Sequence, residues 1–478
     1  MAAVYASEAV QSVSAVARIE NANHQLRWLI LDYGKDVKMP EPAAYCVRDY
    51  GTASIREKFH QYPYSDAPIV KVSVSDEPDP AAARDSGCGR YVILELAVIR
   101  GVVKDGDMVR PPFNAGICTW RQKDDRVEWR RNDFSDLSIF QTLPVEYADG
   151  TVVRASALPE LKAENICTPE IERFREGDID RWNGEPIFVS YHIPEEIAAG
   201  QAGEKKYPMV LSLSGAGGMH AVENGHDSAG GHFTRDRAAC AWLEAEEPVI
   251  VLNPQIPRIS PRDEEEKLMR LLDHIMDLVK EFIDSYPVDP DRVYCIGSSF
   301  GTMCLSRILA QEKYTKTFAA YLMCNGMFTG AETMFKEEYD QRASEHILAP
   351  LTKNYTDFSD PQLFLHGDKF FESEDFAQMA KVMQPIVDAR VVMEIWHGVN
   401  DQVLPASRGI STYLMMKELY RRQGLSDEQI AQVLRLYMIP TEEFHRLGIF
   451  SYHQASKVTV SYPETLKRIL QIRRGQQG

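Results

Sequence analysis

The pattern of apolar and polar positions changes character near residue 140. Before that point, apolar residues fall in short alternating segments, and no long amphipathic stretch occurs. In Pro68–Ser75, Ile69, Val70, Val72 and Val74 are interleaved with Lys71, Ser73 and Ser75, a period of two that predicts a half-buried strand. Tyr91–Ile99, entered through Gly87-Cys88-Gly89, predicts another, and Leu26–Asp32 and Arg126–Arg130 are weaker candidates. Short strands separated by Gly, Pro and Asp point to a β-sandwich. Residues 140–185 are mixed and acidic, contain Pro144 and Pro159, and read as the entry into a second domain; Pro186–Pro194 then alternates clearly.

From Tyr207 the apolar residues gather into continuous runs: Met209–Leu213, Val249–Leu252, Val293–Ile296, Phe318–Met323, Gln362–Leu365, Val391–Trp396 and Arg435–Ile439. Such runs, separated by helical patterns, predict a parallel sheet covered on both faces. Asp263–Tyr286 sets Leu268, Leu271, Leu272, Ile275, Val279, Phe282 and Ile283 on one helical stripe. Its acidic first turn complements the helix dipole. Asp427–Leu434 predicts a shorter helix. The expected organisation is a β domain over residues 1–139 and an α/β domain over 140–478.

Composition sharpens this picture in three ways. A chain of 478 residues exceeds a single hydrophobic core, while 44% hydrophobic and 26% charged residues are ordinary for a globular protein. A formal net charge of −17 repels phosphate backbones and anionic membranes, so neither nucleic acid nor membrane is expected as a partner. No run reaches the roughly 18 apolar residues of a membrane span. No signal peptide is evident in the first 30 residues, and the eight cysteines form no C-x-x-C pair. Cys295 and Cys324 lie in apolar runs, as buried free thiols do. A cytoplasmic setting is expected, with secretion the alternative if a leader has been removed. Oligomeric state, including a homo-oligomer, is left open.

The chemistry concentrates in the second part. Arg292-Val-Tyr-Cys-Ile-Gly297-Ser298-Ser299-Phe300-Gly301 reads strand, then G-x-S-x-G, then helix. Such a turn projects the serine hydroxyl from the sheet, and a side chain at 297 or 301 would collide with the neighbouring strand or helix. Ser299 is therefore the candidate nucleophile, and Ser298 is structural. Tyr207-Pro-Met-Val-Leu-Ser-Leu-Ser-Gly215-Ala216-Gly217-Gly218 ends a strand in a Gly-rich loop. Acyl transfer needs two N–H groups aimed at an oxyanion. Phe300 and Ala216 are the candidates, with Gly217 second. An acid is expected after a later strand, where Asp401 is favoured over Asp368. The base is then His445 or His453, the two histidines after Asp401. Proximity to Arg435–Ile439 favours His445, whereas Glu442, Glu443 and Arg446 give His445 the setting of a solvated ion-paired turn. His220, His226, Asp227 and His232 share one loop, but their spacing matches no metal signature and suits a pocket rim. No metal and no cofactor is expected.

Residues 207–468 resemble the esterase and depolymerase branch of the α/β-hydrolases, which includes polyhydroxybutyrate-depolymerase-like and feruloyl-type esterases. The resemblance rests on Tyr207–Gly218, Val249–Gln255, Val288-Asp-Pro-Asp-Arg-Val-Tyr-Cys-Ile-Gly-Ser-Ser-Phe-Gly, His397-Gly-Val-Asn-Asp401 and Tyr452–Leu470. It implies a serine carboxylesterase acting on short acyl or aryl esters through an acyl-enzyme. A peptidase of the same fold, or a depolymerase with a polymer-binding N-terminal domain, is the alternative. It also implies His453 as the base, because the family tail places a proline ten residues after the histidine, here Pro463, opening a final helix over Glu464–Arg473. The N-terminal part is similar to the immunoglobulin-like domain preceding the catalytic domain in bacterial esterases of the thermophilic EstA type. Asp32-Tyr-Gly-Lys-Asp-Val37 and Gly89-Arg-Tyr-Val-Ile-Leu-Glu-Leu96 carry that likeness. In that architecture the β domain helps shape the pocket; as a polymer-binding module it would use Trp120 and Trp129. The sequence departs from the pattern at Ser214, where histidine is usual, at Phe300 and Thr302, and in a long segment 327–390 expected as a cap.

Overall fold

A computed structural model describes residues 4–21, 24–49, 65–98, 100, 102–104, 107–109, 118–123, 126–131, 137–182, 185–216, 237–257, 259, 264–328, 367–449 and 451–475. The chain divides into two compact units, Met1–Arg173 and Phe174–Gly478.

The first unit is built of β-strands. One sheet runs in the order Ile166–Cys167, Ser12–Ile19, His24–Lys38, Cys88–Leu96, Ile69–Ser75. A second runs Ser156–Ala157, Leu137–Gln141, Tyr45–Asp49, Ser65–Ala67, and a third joins Val4–Tyr5, Val152–Arg154 and Val145–Glu146. Along Ser12–Ile19, Val13, Ala15, Ala17 and Ile19 point inward and alternate with more exposed residues, as a one-faced strand requires. Val13, Leu29, Leu31, Val47, Val74, Leu94, Ile139 and Val153 belong to one buried cluster, so the sheets share a core. The strand expected at Pro68–Ser75 forms, but Val70 is 57% exposed while Ser73 and Ser75 are buried. The returning chain covers the end of the strand, where Val74 bridges Arg84 and the Ser75 hydroxyl bonds the Ala82 carbonyl. Trp120 and Trp129 are opposite partners in the antiparallel ribbon Cys118–Lys123/Arg126–Arg131.

The expected boundary at 139/140 is corrected. Residues 140–173 belong to the first unit because their strands complete its sheets: Leu137–Gln141 pairs Tyr45–Asp49, and Ile166–Cys167 pairs Ser12–Ile19. The buried Tyr33 hydroxyl donates to Gln141 Oε1 at 2.8 Å, and Gln141 Nε2 donates to the carbonyls of Leu143 and Val153. A polar group this deep would cost stability unless bonded, so the segment is held in place.

The second unit centres on one eight-stranded sheet. Its strands are β1 (Arg175–Trp182), β2 (Glu185–His192), β3 (Tyr207–Leu213), β4 (Ile250–Pro254), β5 (Val288–Ser298), β6 (Ala320–Cys324), β7 (Val392–Gly398) and β8 (Leu434–Ile439). They lie in the order β1-β2-β4-β3-β5-β6-β7-β8. β1 and β2 are antiparallel additions at one edge, and β3 to β8 are parallel. Every residue of β3, β4, β6 and β7 is buried, which is why these strands read as continuous apolar runs. β1 lies in the mixed, acidic stretch read from the sequence as the entry into the second domain.

Helix α1 (Glu265–Ser285) buries Leu268, Leu271, Leu272, Ile275, Val279 and Phe282 of the expected stripe, and Ile283 is partly buried. The other helices of note are α2 (Phe300–Leu309), α3 (Glu374–Ala389), α4 (Ser407–Arg422), α5 (Asp427–Val433), α6 (Thr441–Leu447), α7 (Ala455–Thr459) and α8 (Pro463–Leu470). Of the segment 327–390 expected as a cap, residues 329–366, with the strand Gln362–Leu365, lie outside the described residues. Its last part, α3, is instead a layer of the fold, because Phe376, Met379, Met383, Ile386 and Val387 enter the sheet's core. The Tyr294 hydroxyl reaches the carbonyls of Leu470 and Ile472, tying the end of α8 to β5. No helix among the described residues is long and apolar enough to cross a membrane. Cys240, Cys295, Cys304 and Cys324 are buried and form no disulfide among the described residues.

Candidate active site

Four strand ends converge on one place. β5 passes through Gly297 and Ser298 into Ser299, and α2 starts at the next residue. Ser299 has φ 52 and ψ −115, a left-handed conformation that is costly for a residue with a side chain. It is held by its surroundings. Ser299 N–H donates to the Cys324 carbonyl at 3.0 Å, and its own carbonyl accepts from Thr302 N and Thr302 Oγ1. The flanking glycines are required sterically. A Cβ on Gly297 would lie 2.9 Å from the Gly301 backbone, and one on Gly301 would lie 2.0 Å from the Leu213 carbonyl oxygen. The turn thus presses α2 against the end of β3.

That contact brings the loop after β3 beside the serine, since a Cβ on Gly215 would sit 3.3 Å from Ser299 Cβ. Ala216 follows and is exposed. Phe300 is the first residue of α2, so its N–H has no intrahelical acceptor and points out from the helix start. Gly217 and Gly218 lie outside the described residues, as do His220, His226, Asp227 and His232. Among the described residues no group of three or more His, Cys, Asp or Glu is placed to hold a metal ion.

β7 ends at Gly398, and Asp401 follows, 1% exposed. Oδ1 accepts from Val403 N at 2.9 Å and Leu404 N at 3.0 Å. Oδ2 accepts from His453 Nδ1 at 2.7 Å and Asn325 Nδ2 at 2.5 Å, and lies 3.4 Å from His397 Nε2. Burial alone would push this carboxyl up, but the bonds from His397 and His453 outweigh it and hold the carboxyl well below its ordinary range. His453 sits between β8 and α7, and its Nε2 is 2.8 Å from Ser299 Oγ. The structure therefore brings Ser299, His453 and Asp401 into one hydrogen-bonded line. His445 lies elsewhere, on α6, with Nε2 3.0 Å from the Tyr452 hydroxyl. Arg446 pairs with Glu443 on the same helix. Asp368 falls in the turn Gly367–Glu372, and its side chain lies outside the described residues.

Two participants escaped the sequence reading. His397, at the end of β7, is fully buried, and its Nε2 donates to the Leu404 carbonyl at 2.8 Å within the acid loop. Asn325, just past β6, is fully buried with φ 49. The signal available for Asn325 was a polar residue with turn preference ending an apolar run, which by itself marks only a turn.

The arrangement is chemically competent. A hydroxyl, an imidazole and an ionised carboxylate in series can move a proton from oxygen to nitrogen while keeping the imidazole in one tautomer. The Phe300 N–H, at the start of α2 next to Ser299, can receive a developing negative oxygen.

No family model matches the sequence, and a search of curated proteins finds no match. Solved structures resemble it to differing degrees. The chain is similar to a thermostable esterase at 16% identity and a TM-score of 0.62, over 97% of this chain and 100% of the other. Est1E from Butyrivibrio proteoclasticus matches at 14% identity and TM-score 0.35, over 62% of this chain and 97% of that one. The acylaminoacyl peptidase of Pyrococcus horikoshii matches at 13% identity and TM-score 0.37, over 71% and 49%. Of these three, the first is near enough to bear on the chain, and it bears on the fold alone, that of the α/β-hydrolases.

Proposed function

We propose that the chain is a serine hydrolase of carboxylic esters, with Ser299 as nucleophile, His453 as base and Asp401 as the acid that orients it. The single observation behind this reading is the line Ser299 Oγ, His453 Nε2, His453 Nδ1, Asp401 Oδ2, with contacts of 2.8 and 2.7 Å. Ser299 Oγ attacks the acyl carbonyl as His453 takes its proton, and the alcohol leaves with that proton. Water, deprotonated by the same imidazole, then cleaves the acyl-enzyme. Phe300 and Ala216 N–H groups are assigned to the oxyanion, each worth about 3 kcal/mol in the transition state.

Short acyl or aryl esters are the proposed substrates, with kinship to the depolymerase and feruloyl branch. Both choices rest on the sequence resemblance of the elbow and tail. The same resemblance supports reading the first unit as an immunoglobulin-like domain, together with its antiparallel strands and shared core. Neither a cofactor nor a metal enters this scheme. The proposed setting is cytoplasmic.

Turnover of p-nitrophenyl acyl esters against peptide anilides tests the reading. Ester turnover should dominate, and Ser299→Ala should lower it roughly 10⁴–10⁶-fold without changing the melting temperature. Unchanged ester turnover in that variant would sink the mechanism, and faster anilide cleavage would reassign the substrate to peptides.

A further inference from the structure

We propose that Asn325 is the positioning residue that registers the three members of the Ser299–His453–Asp401 line against one another. The inference rests on the functional reading above and adds to it a residue with no chemical step of its own.

Residues 324 and 325 touch every segment that carries the line. The Cys324 carbonyl accepts from Ser299 N–H at 3.0 Å, fixing the backbone of the strained nucleophile. Asn325 N–H donates to the Trp396 carbonyl at 2.8 Å, fixing β7, which leads to the acid. The Asn325 side chain then spans the remaining two loops. Nδ2 donates to Asp401 Oδ2 at 2.5 Å and to the Tyr452 carbonyl at 3.3 Å, and Oδ1 accepts from Ala455 N–H at 2.5 Å. Tyr452 and Ala455 bracket His453. One carboxamide therefore holds the acid's oxygen and both sides of the base.

The residue type follows from the demands of the place. The backbone is left-handed, φ 49, where asparagine is tolerated better than most residues other than glycine. Glycine would supply the conformation but no side chain. Aspartate would supply the shape, but it would set a second carboxylate against Asp401 Oδ2 in a fully buried place. Only a neutral group with a donor on one side and an acceptor on the other satisfies Asp401 and Ala455 together. Asp401 keeps Val403 N, Leu404 N and His453 without Asn325, so losing the amide should shift the geometry rather than remove the acid.

The test is steady-state ester kinetics on Asn325→Ala and Asn325→Asp beside Ser299→Ala, with thermal melts and the downfield proton resonance of His453 Nδ1–H. The expected result is a fall in kcat of about 10–10²-fold with KM held within about threefold, since a displacement near 1 Å suffices for such a loss. The Nδ1–H resonance should move or broaden in both folded Asn325 variants. Should Asn325→Ala not fold, the isosteric Asn325→Asp decides. The inference is overturned if folded variants keep kcat within twofold, if kcat falls while the resonance stays in place, or if Asn325→Asp also fails to fold, which would make the role structural. Loss of activity in Ser299→Ala alongside wild-type Asn325 variants would remove this inference only. Undiminished activity in Ser299→Ala would instead remove the reading of the site.

Discussion

At Asp401, burial and hydrogen bonding pull in opposite directions, and the bonds win. The folded chain gives up this proton at a lower pH than the unfolded chain does. The carboxylate therefore contributes stability that is fully present above the ordinary aspartate pKa of about 3.9 and is lost as pH falls through the lower folded value. The Asp401→Asn variant should be less stable than the parent at neutral pH, yet lose less stability on acidification below about pH 4. Denaturant melts across that range measure both effects, and parallel curves for the two proteins would refute them. Its kcat should fall about 10⁴-fold, through loss of the imidazole's tautomer and orientation. His397, behind the acid loop, is confined in a different way. A Cβ on Gly409 of α4 would lie 2.7 Å from its Nδ1. Alanine gains about 1 kcal/mol of helix propensity over glycine, but overpacking a fully buried ring costs about 1–3 kcal/mol. Gly409→Ala should accordingly lower both the melting temperature and kcat, whereas an exposed helix glycine replaced by alanine would raise stability.

At the scale of the element, the strand–turn–helix around Ser299 is tightly constrained. Gly301→Ala drives a methyl into the Leu213 carbonyl, which would stand 2.0 Å away, and the clash sets the backbone of α2 against that of β3, neither of which can step aside. A loss of at least about 3 kcal/mol is expected, read as a lowered denaturant midpoint or as insoluble protein. This element was legible in the sequence because its constraint is local: five consecutive residues between an apolar run and a helix carry the whole steric problem. Asp401 and His453 were legible by their order along the chain and by the tail that follows His453. Asn325 was not, because its partners lie 76 and 130 residues away and nothing near it in sequence announces them. The boundary at 139/140 failed for a related reason. Strands of two or three residues, such as Val152–Arg154 and Ile166–Cys167, are too short to show a period, and each pairs with a strand distant in sequence, Val4–Tyr5 and Ser12–Ile19.

At the scale of the whole molecule, that boundary makes a further expectation. The segment 140–173 contributes Val145, Tyr147, Val153 and Leu161 to the core of the first unit, each worth about 1.5–3 kcal/mol when buried, and it satisfies Tyr33 through Gln141. A fragment spanning 1–173 should refold alone with a cooperative melt and a β-type circular dichroism spectrum, whereas one spanning 1–139 should not. Cooperative folding of the shorter fragment would restore the earlier boundary.

The separations within the catalytic line carry a kinetic consequence. His453 meets Ser299 across 154 residues and Asp401 across 52. Contacts that close loops this long form late, because their entropy must be lost before they return any stabilisation. During refolding from denaturant, ester turnover should therefore reappear no sooner than the slowest change in tryptophan fluorescence. Activity becomes a clock for the completed sheet, silent in every partly folded species that still lacks the seating of α7 and α8.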